Sequence, residues 1–167
     1  SDEEYQAQAS LHVDALNHAL ADIPKDRVRL HVCWGNYEGP HHHDAPMEMV
    51  LPIALRADVG ALLFESSNPR HAHEWEVFAN TALPDDLILI PGVIDSTTNF
   101  VEHPKLVAER ICRFADIVGR ERVIAGSDCG FSTFAGFGAV DEDIVFAKLA
   151  SMADGARLAS ERLWGST

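Results

Sequence analysis

Four stretches of the chain gather apolar residues in runs too short and too regular for an amphipathic helix. Residues 27–33 alternate polar and apolar side chains after the breaker Pro24, the period-two pattern of a half-buried strand. Residues 60–65 are almost continuously apolar, as in a strand covered on both faces. Residues 87–95 form a third run, interrupted by Pro91-Gly92 and closed by an acid, and residues 122–128 form a fourth. β-branched content and flanking breakers favour strand over buried helix in these runs.

The segments between them read as helices. Ser1 and Glu4 have the spacing of a capping box ahead of a helix through about residue 21. Asp44-Ala45-Pro46 and Asn68-Pro69 each resemble an N-cap followed by a permitted early proline. Pro52 falls inside the first of these two helices, which predicts a kink or a later start. Residues 104–118 set Leu106, Val107, Ile111, Phe114 and Val118 mainly on one face, and Gly119 can end the helix. Asp141 can cap a last helix reaching about residue 163.

The order α-βα-βα-βα-βα calls for parallel strands joined by crossover helices, an α/β fold in a single domain over residues 1–167. A complete eight-stranded (β/α)8 barrel takes ~250 residues, so four βα units preceded by a helix amount to half of one. Two exposed sheet edges and an uncovered interior predict self-association or pairing with another barrel half.

The strand ends carry the chemistry. His31-x-Cys33 places an imidazole and a thiol two apart on one strand, so both point to one face and can share an ion. Glu65 directly follows the apolar run Ala61-Leu62-Leu63-Phe64, an awkward place for an acid unless it is paired or metal-bound. Cys129 stands at the fourth strand end, before Gly130. Each of these residues also has a plainer reading: core residues for the His-Cys pair, a solvated strand end for Glu65, a Cys33–Cys129 disulfide for the thiols. Together His31, Cys33, Glu65 and Cys129 form a donor set suited to one Zn²⁺ ion at the strand ends of an α/β barrel. Cys112, between Ile111 and Phe114, reads as inert core.

Composition narrows the partners. The net charge of −13 argues against nucleic acid and anionic membranes. With 47% hydrophobic and 23% charged residues and no 18-residue apolar run, the chain reads as soluble. Three cysteines without framework spacing point to a reducing cytoplasm.

The sequence of motifs His-x-Cys, Glu65-Ser66-Ser67, Asp95-Ser96-Thr97-Thr98-Asn99 and Asp128-Cys129-Gly130 resembles the C-terminal catalytic barrel of cobalamin-independent methionine synthase. The family's relatives include the epoxyalkane:coenzyme M transferases. The resemblance implies the C-terminal half of a (β/α)8 TIM barrel, with zinc held by His31, Cys33, Glu65 and Cys129. It implies transfer of an alkyl or methyl group from a small-molecule donor to a thiol such as homocysteine or coenzyme M. Zinc lowers the pKa of a bound thiol, and Glu65, the hardest donor, is the one expected to yield to the incoming sulfur. Asp95 is a second candidate catalytic residue, and Ser66, Asn68, Asn99 and Asp128 are candidate substrate-binding groups, with turn and cap roles as their alternatives.

The chain also departs from the family. The synthases carry a catalytic histidine soon after the aspartate that matches Asp95, whereas here Ser96-Thr97-Thr98-Asn99 follows and His103 lies too far along. That shifts the expectation away from a folate methyl donor and toward the alkyltransferase-like relatives. The loop of residues 35–44, with His41-His42-His43, is a second divergence and is placed to overhang the site. Two other functions remain in view: a non-catalytic half-barrel whose zinc is structural or missing, and a zinc hydrolase. Two cysteine donors weigh against the hydrolase, because such sites favour histidine and carboxylate.

Overall fold

The computed structural model describes residues 1–131, 136, 138 and 140–165. Helix α1 (Asp2–Ala19) is capped by Ser1, whose hydroxyl accepts from the Glu4 N–H while the Glu4 side chain reaches back, closing the expected box. Strand β1 (Arg29–Val32), helix α2 (Met47–Ala54) and strand β2 (Ala61–Phe64) follow. Next come α3 (Trp75–Ala79), β3 (Ile88–Ile94), α4 (Pro104–Val118), β4 (Gly126–Ser127) and α5 (Glu142–Trp164). The described strands form one parallel sheet in the order β1-β2-β3-β4, the open arc of an α/β barrel.

Strand alternation divides the sheet into two faces. Leu30, Val32, Leu62, Phe64 and Leu89 point to the helices, where Phe64 stacks on Phe78 at 4.2 Å and Phe114 meets both edge-on at 5.4 and 5.7 Å. A second core joins Val93 and Ile94 to Val107, Ala108, Ile111 and Ala159 of α4 and α5. α4 and α5 lie close because Gly155 has no side chain: a Cβ there would come within 2.3 Å of Val107. The other face carries His31 and Cys33, both exposed, and Leu63, half-buried.

The elements depart from expectation in three places, α3, β3 and β4. α2 takes the later start that Pro52 predicts, at Met47, and its first N–H is capped from outside by Glu74 Oε1 at 2.9 Å. Pro52 lies inside it on the exposed side, where it leaves the Glu48 carbonyl without its usual helical donor. Regular helix α3 starts at Trp75 instead of after Asn68-Pro69. Asn68 caps the preceding turns instead, its Oδ1 accepting from the N–H groups of Arg70 and His71, both at 3.0 Å.

Pro91-Gly92 does not break β3. Phe64↔Pro91 is the last β2–β3 pair and Gly92↔Gly126 opens the regular β3–β4 ladder, so the proline sits where the strand changes partners. β4 is shorter than residues 122–128, because the backbone before Gly126 pairs with β3 through a Leu89–Val123 bridge and a hydrogen bond from Ile124 rather than a continuous ladder.

Gly92 marks the tightest approach in the sheet. A Cβ there would stand 1.9 Å from Asp128 Oδ1 and 2.6 Å from Asp128 Cα, so no side chain fits without moving β4. Gly92→Ala is expected to destabilise the fold by about 3 kcal/mol or more, at the upper end of overpacking effects. Urea unfolding checks this; an unchanged midpoint would show that the strand ends can separate freely.

Candidate metal centre and adjoining cleft

The C-terminal ends of the strands bring the predicted donors together. His31 leaves β1 with Cys33 one residue beyond its end, on the same face, and Cys129 arrives just after β4. One donor atom from each of His31, Cys33 and Cys129 lies within 4.8 Å of the other two. The Cys129 Sγ is 3.5 Å from His31 Nε2 and 3.4 Å from Glu65 Oε1. Glu65 follows β2, buried, and meets the cluster through Cys129, while the three atoms that share one point are those of His31, Cys33 and Cys129. All three cysteines are free thiols. Two thiols, an imidazole and a carboxylate converging from three strand ends match the preferred donors of Zn²⁺ in kind and number.

The electrostatics single out one thiol as the anion of the cluster. Hydrogen bonding from Cys129, aided by His31, draws the Cys33 thiol down to about 4 against its partial burial. Cys129, facing that thiolate and also buried near Glu65, is pushed up. Burial pushes Glu65 up, opposed by hydrogen bonds from Cys129 and the Trp34 N–H. Glu65 is held on both oxygens: Trp34 N donates to Oε1 at 3.2 Å and Asn68 Nδ2 to Oε2 at 2.5 Å.

Of the candidate catalytic and substrate groups, the structure brings Asp95, Asn68 and Asp128 to a cleft of about 200 Å³ beside Glu65, lined also by Tyr37, His41 and Arg70. Glu65 borders this cleft, whereas His31, Cys33 and Cys129 do not. Asp95 is buried, and its carboxylate accepts from Thr97 N–H (3.2 Å), Thr97 Oγ1 (3.0 Å) and Thr98 N–H (2.9 Å). Burial alone would raise it, but the Thr98 and Thr97 hydrogen bonds win and hold it below the usual carboxylate range.

Ser66 and Asn99 do not line this cleft. Asn99 is exposed, its side-chain oxygen accepting from Asp141 N–H at 3.3 Å. Ser66 is buried, with its N–H directed at Asp128. Asp128 touches the cleft edge, yet both of its oxygens are spent on backbone: Oδ1 accepts from Ser66 N (2.8 Å) and Ser67 N (2.9 Å), Oδ2 from Asn68 N (2.8 Å). Burial pushes this carboxyl up and the N–H groups oppose it; with donors as its partners, the anion is the form that fits.

Sequence reasoning passed over several supporting residues. Lys148, fully buried in α5, donates to Glu102 Oε2 at 2.9 Å, and Glu102 Oε1 accepts from Asp95 N at 2.8 Å, a chain that fixes the end of β3. Arg110 of α4 bonds Ser67 Oγ at 2.9 Å and Val93 O at 3.0 Å. Asn36 links the loops after β1, β3 and β4, donating to Gly130 O at 2.5 Å and accepting from Ser96 Oγ at 2.8 Å. The one available sign was in α5, where the buried stripe Lys148, Ser151, Gly155 and Ala159 puts a charge among small residues.

Fold and donors define a parallel α/β half-barrel with a thiol–imidazole–carboxylate cluster at its strand ends. No family model matches the chain. It is similar to the 2-hydroxypropyl-CoM lyase of Xanthobacter autotrophicus, with 29% identity over 143 residues that take in 71% of this chain and 38% of that protein. In fold it matches the B12-independent methionine synthase of a Shewanella species, solved in complex with selenomethionine, with a TM-score of 0.73 at 17% identity. That match covers 92% of this chain and 44% of the synthase. The chain thus spans less than half the length of either protein, and its fold is that of half a TIM barrel of the synthase. Both similarities support the resemblance carried by the motifs.

Asp128→Asn sets an amide nitrogen against backbone N–H groups and is expected to lower stability by about 2–3 kcal/mol, the scale of an unsatisfied buried group. Chemical denaturation of the variant checks this. A neutral effect would mean that the loop of residues 66–68 does not depend on the anion.

Proposed function

We propose that His31, Cys33, Glu65 and Cys129 hold Zn²⁺ and that the chain serves alkyl or methyl transfer from a small-molecule donor to a thiol such as coenzyme M or homocysteine. The observation that carries this reading is the convergence of Cys33, Cys129 and His31 on one point beside the buried Glu65. Bound there, Zn²⁺ would act as a redox-inert Lewis acid that lowers the pKa of a thiol, making thiolate available at neutral pH. Two free thiols as ligands fit a reducing, cytoplasmic setting.

The chain's own residues divide the remaining work. Trp34 N–H and Asn68 fix the Glu65 carboxylate between the donors and the cleft, so a substrate reaching both passes Glu65. Arg70 is the one arginine or lysine among the described cleft residues, suited to an anionic group on the thiol substrate. Asp95, held as an anion, is positioned by Thr97 and Thr98 and faces the same space. No histidine follows Asp95 within the next seven residues, and the sequence similarity is to the lyase; both favour an alkyl donor over a folate methyl donor.

A second reading rests on the exposure of His31 and Cys33. In it the chain binds the ion but turns over only when a further barrel half, or another copy, covers the open face. Sedimentation velocity is expected to show self-association; a monodisperse monomer would remove that part of the reading.

Cys129→Ser is expected to remove one zinc equivalent per chain and to reduce thiol alkylation by about 100-fold or more, since loss of a group that merely orients a ligand already costs 10–100-fold. Elemental analysis of protein purified without chelator or metal-affinity resin, with product mass spectrometry over thiol and epoxide panels, checks both. Unchanged zinc content would overturn the ligand assignment. Hydrolysis of esters or lactones without any thiol requirement would favour the hydrolase.

A further inference from the structure

Behind the Glu65 side of the cleft lies a second cluster, built by the loop after β1 and the turns before α3. The Asp44 Oδ2 stands 2.6 Å from His41 Nδ1 and 3.0 Å from His71 Nε2. These side chains are 13, 10 and 2% exposed for Asp44, His41 and His71, which distinguishes them from the exposed His42 and His43. The far nitrogen of each ring is also engaged: His41 Nε2 lies 3.0 Å from Tyr37 O and His71 Nδ1 lies 2.8 Å from Glu74 Oε2.

Each imidazole therefore faces an oxygen at both nitrogens. A neutral ring has one N–H, so one of its lone pairs would point at an acceptor; either an imidazolium with two N–H groups or a cation on the near nitrogens removes that clash. A single divalent cation between Asp44, His41 and His71 resolves both rings together. The near nitrogens become ligands, while the far nitrogens donate to Tyr37 O and Glu74, the arrangement by which ligating histidines are normally oriented. The two carboxylates, Asp44 and Glu74, balance the ion's charge. We propose that His41, Asp44 and His71 form a second divalent-metal site, separate from the thiolate cluster, with Glu74 and Tyr37 O orienting the imidazoles. Two imidazoles and a carboxylate without sulfur suit zinc, cobalt, nickel or ferrous iron.

The placement gives the site a purpose. The Trp34 ring stacks on His71 at 3.8 Å and 9°, its Nε1 donates to Ala45 O at 2.6 Å, and its backbone N–H reaches Glu65. A cation on His41, Asp44 and His71 would fasten the loop of residues 35–44 to the turns before α3 and so hold one wall of the cleft. His41, in the left-handed region at φ 51, lines that wall.

The test counts Zn²⁺ by equilibrium dialysis and elemental analysis, with Co²⁺ as a reporter of thiolate ligation. The chain carrying both Cys33→Ser and Cys129→Ser is expected to retain one Zn²⁺ equivalent. In that background His41→Ala or Asp44→Asn is expected to weaken Zn²⁺ binding by about 100-fold, whereas His42→Ala with His43→Ala leaves it unchanged. With the cysteines intact, His41→Ala should keep the near-ultraviolet thiolate-to-cobalt charge-transfer band, which also reports that the variant folds. The proposal is overturned if the double cysteine variant binds no Zn²⁺ at micromolar concentration. It is equally overturned if the bound ion depends on His42 and His43, or if both His41→Ala and Asp44→Asn abolish the charge-transfer band. Absence of that band from the unmutated chain would instead count against the thiolate centre and leave the second count untouched.

Discussion

The strand ends of this half-barrel are held in place by one carboxylate. Asp128 lies past β4, yet its two oxygens collect the N–H groups of Ser66, Ser67 and Asn68 from the loop after β2. The path between them crosses β3, and it is open only because residue 92 is glycine. An anion this buried survives by exchanging its hydration for aimed donors, so carboxylate and loop order each other. Glu65 precedes the loop and Cys129 follows the aspartate; the 3.4 Å contact between them is a consequence of that clasp. Arg110 reinforces it from α4 by bonding Ser67 Oγ and Val93 O.

The same device recurs along the rim. The Asp95 carboxylate gathers Thr97 and Thr98, and its own N–H is taken by Glu102, which Lys148 neutralises from a fully buried position in α5. Such a pair gains little net stability, because desolvating both ions offsets their attraction, but either partner alone would be a buried unpaired charge. Its effect here is to tie α5 to the end of β3. Asn36 then joins the loops after β1, β3 and β4. The rim is thereby fixed from the helix side, while the opposite face of the sheet leaves His31 and Cys33 exposed.

Much of this was legible in the sequence, and the limits have physical causes. Period-two alternation and apolar runs located the strands, because burial on one or two faces leaves its mark residue by residue. The donors could be found because each sits at a strand end, where the pattern itself changes from apolar to polar. Element starts were less visible. Asp44-Ala45-Pro46 has the composition of a cap, but Asp44 bonds His41 and His71, and α2 takes its cap from Glu74, 27 positions along the chain. Asp128 was noticed for its place in a motif and assigned to substrate, since nothing local reveals that its partners are backbone N–H groups across the sheet. Lys148, Glu102 and Arg110 escaped for the same reason: long-range pairing of charges has no period.

Asn68 shows why cap and site roles are not alternatives in this chain. Its Oδ1 caps the turns leading to α3, its Nδ2 holds Glu65, and its N–H is the third donor to Asp128. Those turns carry His71 and Glu74 inward, and His71 stacks on Trp34, whose N–H returns to Glu65. The ring of contacts closes on Glu65, the residue that borders both the thiol cluster and the cleft. A shift in the loop after β1 would therefore reach the donors along two routes, through Trp34 to Glu65 and through the Gly35 backbone to Cys33. Divergence in the loop of residues 35–44 can in this way alter the cleft, the setting of Glu65 and the surroundings of both thiols, since Gly35 bonds Cys33 and Asn36 bonds Gly130 beside Cys129.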